Sequence, residues 1–215
     1  MRPVLRNGGL VVDLEAVHWC ISSAVLGGGM GSIRTWLNLQ VESGYDCRHP
    51  EVDLRAAAAG LEEPVVGMLT AAPVARFTAA RLGVARAIAT VGLRHPIAAA
   101  DCNLEEAPGA GTINLLVIMQ TGLTEAGLVN ALQTAVEAKV QALAGARVPA
   151  RNSQGFATGT ATDSICIACP PGGQIPYGGP ATLHGRDLAH AVYRAVLKGA
   201  ERKGVLNELA EGDER

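Results

Sequence analysis

Residues 112–145 read T-I-N-L-L-V-I-M-Q-T-G-L-T-E-A-G-L-V-N-A-L-Q-T-A-V-E-A-K-V-Q-A-L-A-G, and this stretch decides the fold class. Its first eight residues, 112–119, predict a strand too apolar to keep a wet face, so both faces must be covered. A helix follows at once. Thr124 can cap its start, and Val129, Leu132, Val136, Val140 and Leu143 recur at steps of 3, 4, 4 and 3, which predicts a core-facing stripe. Gly145 is the expected stop. A doubly buried strand feeding a long amphipathic helix predicts an α+β domain whose sheet is covered by helices.

The flanking sequence extends this picture. Strands are predicted over 10–15, 17–26 and 33–41, with Gly27-Gly28-Gly29 and Gly31 between the last two. His49-Pro50 opens a short helix to Ala59, with Pro50 at the favoured first position and Gly60 ending it. Further strands are predicted over 65–69 and 84–93, and a Pro/Gly-containing loop over 105–111. A second good helix spans 182–199, with Leu188, Val192, Ala195 and Val196 facing inward. No repeat or linker divides the chain, so residues 1–200 read as one domain and 201–215 as a charged, frayed tail.

Beyond the first helix lies G-F-A-T-G-T-A-T-D-S-I-C-I-A-C, residues 155–169. Thr158, Thr160 and Thr162 alternate, which places three hydroxyls on one face of an extended segment. They run into Asp163 and then into an apolar strand. A row of hydroxyls ending in a carboxylate requires hydrogen-bonding partners from the protein or from a polar ligand. Thr112 and Asn114 share a face at the start of the other apolar strand, and a buried Asn carries the same requirement. A strand end behind a Gly-rich loop is where sites are commonly built. The competing reading is local, with Thr and Asn closing the loop through their own side chains.

Composition bounds the function. Hydrophobic residues make up 48% and charged residues 18% of 215, which supplies a large core and argues against bulk disorder. Aromatics are only 3%, so that core is built from small aliphatic side chains. A net charge of −2 leaves no basic footprint for nucleic acid. No apolar run reaches the ~20 residues of a membrane span, and 1–13 lacks the pattern of a signal peptide, so a cytoplasmic protein is expected. Five cysteines, Cys20, Cys47, Cys102, Cys166 and Cys169, are then read as free thiols.

Other motifs carry less. Cys166 and Cys169 have CxxC spacing but sit in a predicted strand, where positions three apart face opposite ways, so two buried thiols are expected. The glycine cluster at 27–31 lacks both the dinucleotide and the P-loop spacing and serves equally as a turn or as a ligand-side loop. His49, with Asp46 nearby, is a candidate proton carrier or simply part of a helix start. His18, His95, His184 and His190 form no ligand spacing, so no metal and no cofactor is expected. Glu137 and Lys139 read as a solvated helix face.

Taken in order, Ile21 through Gly29, Val66 through Ala72, Thr90 through Leu93, Gly111 through Asn114, Leu123 through Glu125 with the helix through Lys139, and Ser153 through Asp163 resemble the adenosylcobinamide amidohydrolase (CbiZ) family of corrinoid salvage. The resemblance runs from about Val11 to Leu197. It implies amide hydrolysis, adenosylcobinamide plus water giving adenosylcobyric acid and aminopropanol. The corrinoid would be substrate rather than cofactor, and Gly28, Gly29, Thr70, Ser153, Thr158, Thr160 and Thr162 would contact it. Residues 98–103 and 170–173 match no family motif, which leaves a changed substrate open.

The catalytic expectation is that Thr112, Asn114 and the row ending in Asp163 converge. Asp163 or His49 would move protons, and Asn114 or backbone N–H groups would hold the oxyanion. A weaker similarity, a small residue and Thr entering an apolar strand ahead of a helix and a Thr/Asp strand, points to the ornithine acetyltransferase and DmpA aminopeptidase group. It implies a layered α/β/β/α sandwich with Thr112 as nucleophile, freed by a cut at Gly111–Thr112. A non-catalytic corrinoid or tetrapyrrole binder of the same fold, an oligomeric scaffold whose threonines are a polar core layer, and assembly as a homo-oligomer stay open.

Overall fold

The computed structural model describes residues 1–46, 48–101 and 111–211. Cys47, Cys102 and the predicted loop over 105–110 fall outside them. The chain order is β1 (Val4–Arg6), β2 (Gly9–Ser22), β3 (Gly29–Gln40), α1 (Pro50–Ala58), β4 (Val65–Thr70), β5 (Thr78–Leu82), β6 (Ala85–Val91), β7 (Pro96–Ile97), β8 (Ile113–Met119), α2 (Glu125–Gly145), β9 (Gly159–Thr160), β10 (Ser164–Cys169) and α3 (Leu183–Glu211). Eight strands form one mixed sheet ordered β4-β3-β2-β10-β8-β6-β5, with β1 on β2, and β7 pairs with β9 in a small second sheet.

The large sheet is folded over on itself. Where two strands were expected at 10–15 and 17–26, a single strand, β2, carries an irregularity between Asp13 and His18. Glu15 adopts a left-handed φ of 65° there, its N–H donates to Asp13 Oδ1 at 2.7 Å, and Arg34 of β3 pairs with Asp13. Bulges bend strands and increase twist. Here the bend separates two leaves: β10, β8, β6 and β5 with the second half of β2, and β4 and the second half of β3 with the first half of β2.

Alternation along the strands then builds three cores. Ile113, Leu115, Val117 and Met119 of β8 and Ile165, Ile167 and Cys169 of β10 face α2 and α3. Leu116, Ile118, Cys166 and Ala168 face inward, against Leu10, Val12, Trp36, Val66 and Met68 of the other leaf. That leaf's outer side, Val11, Leu37 and Val65, is closed by Leu54 and Ala58 of α1. The layers run helix, leaf, leaf, helix, so the layered arrangement expected from sequence is present, with one bent sheet supplying both β layers. Every residue of β8 is buried, as its composition requires.

The helices start and stop largely where expected, but α2 is rotated. Thr124 caps it by accepting from Gly127 N at 3.1 Å. Its buried face is Leu128, Ala131, Ala135, Ala138 and Ala142, joined by Leu143, whereas Val129 and Val136 remain 47% and 40% exposed. The predicted valine stripe is therefore about one residue out of phase. Small alanines let the helix lie close on the sheet, and the branched side chains turn outward. In α3, Leu188, Val192, Ala195 and Val196 are fully buried as predicted, and the helix continues to Glu211. Among the described residues no helix is long and apolar enough to cross a membrane.

Candidate functional site

The inner faces of the two leaves meet at one end in a polar group. Pairing of β6, β8 and β10 sets Thr90, Asn114 and Ser164 in one row. One step further out, Thr112 and Thr162 hydrogen-bond through their hydroxyls at 2.8 Å. The opposite leaf supplies Asn38 of β3 and Thr70 of β4, both at most 1% exposed. Thr112 is 7% exposed, Thr162 lies in solvent, and together they form the outer edge, or mouth, of this polar group.

Behind the mouth, Asn114 clasps the leaves together. Its Nδ2 donates to Asn38 Oδ1 at 2.7 Å and to Leu69 O at 2.8 Å, and Asn38 Nδ2 donates to Thr90 Oγ1 at 2.8 Å. An amide nitrogen has two hydrogens, so Asn114 has no donor left for an oxyanion. Its carbonyl Oδ1 is buried without a hydrogen-bond partner among the described residues.

A second wall comes from the segment after β2. Ser23 Oγ accepts from Ile165 N at 3.1 Å and lies 3.3 Å from Ser164 Oγ. The chain then crosses to the other leaf, where Leu26 and Gly67 exchange backbone bonds of 3.2 and 2.9 Å. Glycine is required on this crossing. Gly27 has φ +68°, and a Cβ on Gly28 would lie 2.2 Å from Ala24 O. Gly29 has open space beside it, but its φ of +89° also favours glycine.

The threonine segment differs from its prediction as one extended face. Only Gly159–Thr160 is strand, a turn follows, and the three hydroxyls separate. Thr158 Oγ1 accepts from Ala99 N at 3.0 Å, beside the loop after β7. Thr160 and Thr162 both reach Gly111 O, at 2.6 and 3.1 Å. Asp163 organises the turn. Its carboxylate accepts from Ile113 N at 3.0 Å, from Thr160 N at 3.2 Å and from Thr160 Oγ1 at 2.5 Å, and it forms an ion pair with Lys139 of α2. Lys139, expected on a solvated face, is buried: it extends from the alanine face of α2 toward the one carboxylate that pairs with it. Glu137 is exposed.

The structure thus brings together Thr112, Asn114, Asp163, Thr70, Thr160 and Thr162, with Gly28 and Gly29 on the adjoining crossing. Thr158 turns aside, and Ser153 accepts from Gly155 N within its own loop. His49 is exposed at the start of α1 with no side-chain cap bond, at the end of the second leaf where β3 and β4 finish. Asn38, Thr90, Ser23 and Ser164 belong to the group without being candidate site residues from sequence, and Lys139 belongs to it although its charge predicts a solvated face. Asn38 had a usable signal, a lone amide between Leu37 and Leu39 on a predicted core strand. Cys166 and Cys169 face opposite cores as free thiols, as predicted, and Cys20 is likewise buried and free. The adjacent Cys20 and burial both push the Cys166 thiol up.

Comparison with known proteins places the chain in a family. The family model described as adenosylcobinamide amidohydrolase matches residues 2–208. The chain is 30% identical over 204 residues to an adenosylcobinamide amidohydrolase of Methanosarcina mazei, covering 89% of this chain and 92% of that one. It is 31% identical over 204 residues to the protein of that name from Halobacterium salinarum, covering 89% and 84%. An uncharacterized protein of Methanocaldococcus jannaschii is 33% identical over 89 residues, 41% of this chain and 35% of its own. The stretches 21–29, 66–72, 90–93 and 111–114, separated in sequence, meet in this polar group together with the end of 153–163. The chain belongs to the adenosylcobinamide amidohydrolase family.

Proposed function

We propose that this chain hydrolyses adenosylcobinamide to adenosylcobyric acid and aminopropanol, a step that returns a salvaged corrinoid to cobalamin synthesis. The observation that carries the reading is the Thr112–Thr162 hydroxyl pair at the outer edge of the polar group that includes Ser23 and Ser164, in a chain of this family. A corrin bearing many amides presents donors and acceptors on a broad apolar body, and a rim of hydroxyls and glycine backbone complements it better than a charged pocket.

Thr112 is the proposed nucleophile. Its Oγ attacks the amide carbon while the Thr162 hydroxyl relays the proton, taking it from Thr112 Oγ and giving up its own to the amide nitrogen, so that the C–N bond breaks and the neutral amine leaves. Water then hydrolyses the threonyl ester. With both Asn114 hydrogens committed, the oxyanion falls to backbone N–H groups and the serine hydroxyls of the mouth. Asp163 is engaged by the turn, which leaves His49 as the proposed carrier of protons to solvent. Thr70, Thr162, Gly28 and Gly29 are the proposed substrate-facing or substrate-adjacent set, and Thr160, whose hydroxyl is held by Gly111 O and Asp163, lies behind them.

Incubating the purified protein with adenosylcobinamide and assaying free aminopropanol tests the activity. Tight binding without release would replace it with the non-catalytic binder. Intact mass shows whether a cut at Gly111–Thr112 frees the Thr112 amine. A single full-length species together with a fully active Thr112→Ala variant would overturn Thr112 as nucleophile.

A further inference from the structure

We infer that Lys139 is a positioning residue, which sets the Thr112 hydroxyl from the far side of the sheet through Asp163 and Thr160. The inference rests on the proposed role of Thr112 and adds a residue that touches neither substrate nor nucleophile. An unbroken chain of contacts runs from α2 to the mouth. Lys139 Nζ meets Asp163 Oδ2. Asp163 Oδ1 receives Thr160 Oγ1 at 2.5 Å and Ile113 N at 3.0 Å. Thr160 Oγ1 lies 2.6 Å from Gly111 O, Thr162 Oγ1 lies 3.1 Å from the same oxygen, and Thr162 Oγ1 lies 2.8 Å from Thr112 Oγ1.

The contacts made by Thr160, Thr162 and Asp163 flank Thr112. Ile113 N follows it and Gly111 O precedes it, so both of its peptide neighbours are tied to one turn. The pair's side chains are 9% and 10% exposed, which removes them from substrate as well as from water. The space is closed further at Gly159, where a Cβ would lie 2.4 Å from Asp163 Oδ2 and 2.7 Å from Lys139 Nζ.

Stability alone is a weak reason for such a pair. Desolvating two charges offsets much of their attraction, and replacing a buried pair with neutral residues of similar volume is often neutral or stabilising. A pair with little net effect on stability can still fix geometry. Displacing a reacting group by about 1 Å can cost on the order of 100-fold in rate. The Thr160 hydroxyl proton also has two acceptors, Asp163 Oδ1 and Gly111 O. Sharing that proton couples the carboxylate that Lys139 holds to the carbonyl ahead of Thr112.

The test uses the full chain with adenosylcobinamide as substrate. In Lys139→Met/Asp163→Asn, kcat should fall about 10- to 100-fold with KM within about threefold and the melting temperature near wild type. Thr160→Val should reproduce the loss with the ion pair intact, and Thr160→Ser should restore most of it. Hydrogen exchange at the Ile113 amide, which does not depend on turnover, should quicken in the double variant. Wild-type kcat in both the double variant and Thr160→Val overturns the inference, as does a loss that follows the unfolded fraction. An inactive wild type overturns the proposed function instead, and unchanged Ile113 exchange would then overturn the positioning role separately.

Discussion

Thr112 and Asn114 lie two residues apart on the same face of one strand, yet their surroundings assign them opposite work. Asn114 is completely buried, with both amide hydrogens holding the second leaf. Thr112 stands at the outer edge of the polar group and, among the described residues, its hydroxyl meets that of one exposed residue. A shift of two residues along β8 passes from a clasp that joins layers to a group able to meet a ligand. Polar residues at a strand end are thus not one kind of feature, and the number of committed hydrogens separates them.

The largest expected effect breaks the Thr112 side of this contrast. Thr112→Ala should lower kcat/KM by at least about 1000-fold, roughly 4 kcal/mol of transition-state stabilisation, in an aminopropanol-release assay. Its urea midpoint should move little, because one hydroxyl with one partner is removed near the surface. Thr112→Ser should keep measurable turnover. Equal losses of folding and activity would instead mark Thr112 as part of the clasp.

Asn114→Ala should invert that pattern. It leaves Asn38 Oδ1 and Leu69 O without their donor in a dry interior, at about 1–3 kcal/mol for each stranded group, so a destabilisation of about 2–5 kcal/mol is expected from urea unfolding. Asn38→Ala should cost a similar amount. The double variant should fall short of the sum, since the two share one hydrogen bond. Strict additivity between them would show that the leaves are held by apolar packing alone.

The sequence revealed which residues mattered at this end more readily than how they were arranged. Thr112, Asn114 and Asp163 stood out because hydroxyl, amide and carboxylate groups at the ends of apolar runs need partners. Asn38 and Thr90 did not, because their importance comes from a leaf-to-leaf meeting that depends on the bend at Asp13, a long-range feature with only a local trace in sequence. The threonine alternation was read as one strand face. Asp163 instead gathers two backbone N–H groups and a hydroxyl and turns the chain after Thr160, as Asp side chains commonly do in turns. Lys139 was hidden by its charge, which in a helix ordinarily marks the wet side.

The α2 helix gives the smallest effects and the sharpest check on how pattern was converted to packing. Its valines form the stripe that periodicity selects, but the buried face is Ala131, Ala135, Ala138 and Ala142. Hydrophobicity ranks valine above alanine, whereas the middle of the buried face is filled by the methyl groups of Ala131, Ala135, Ala138 and Ala142. Val129→Gln and Val136→Gln should each change stability by no more than about 0.5 kcal/mol, as ordinary surface changes do. Ala135→Leu, a gain in hydrophobicity, should destabilise by about 1–3 kcal/mol through overpacking. If the valine changes proved the costlier ones in dilute protein, those side chains would have to be covered in solution. A dependence of that cost on protein concentration would locate the cover in a second copy of the chain.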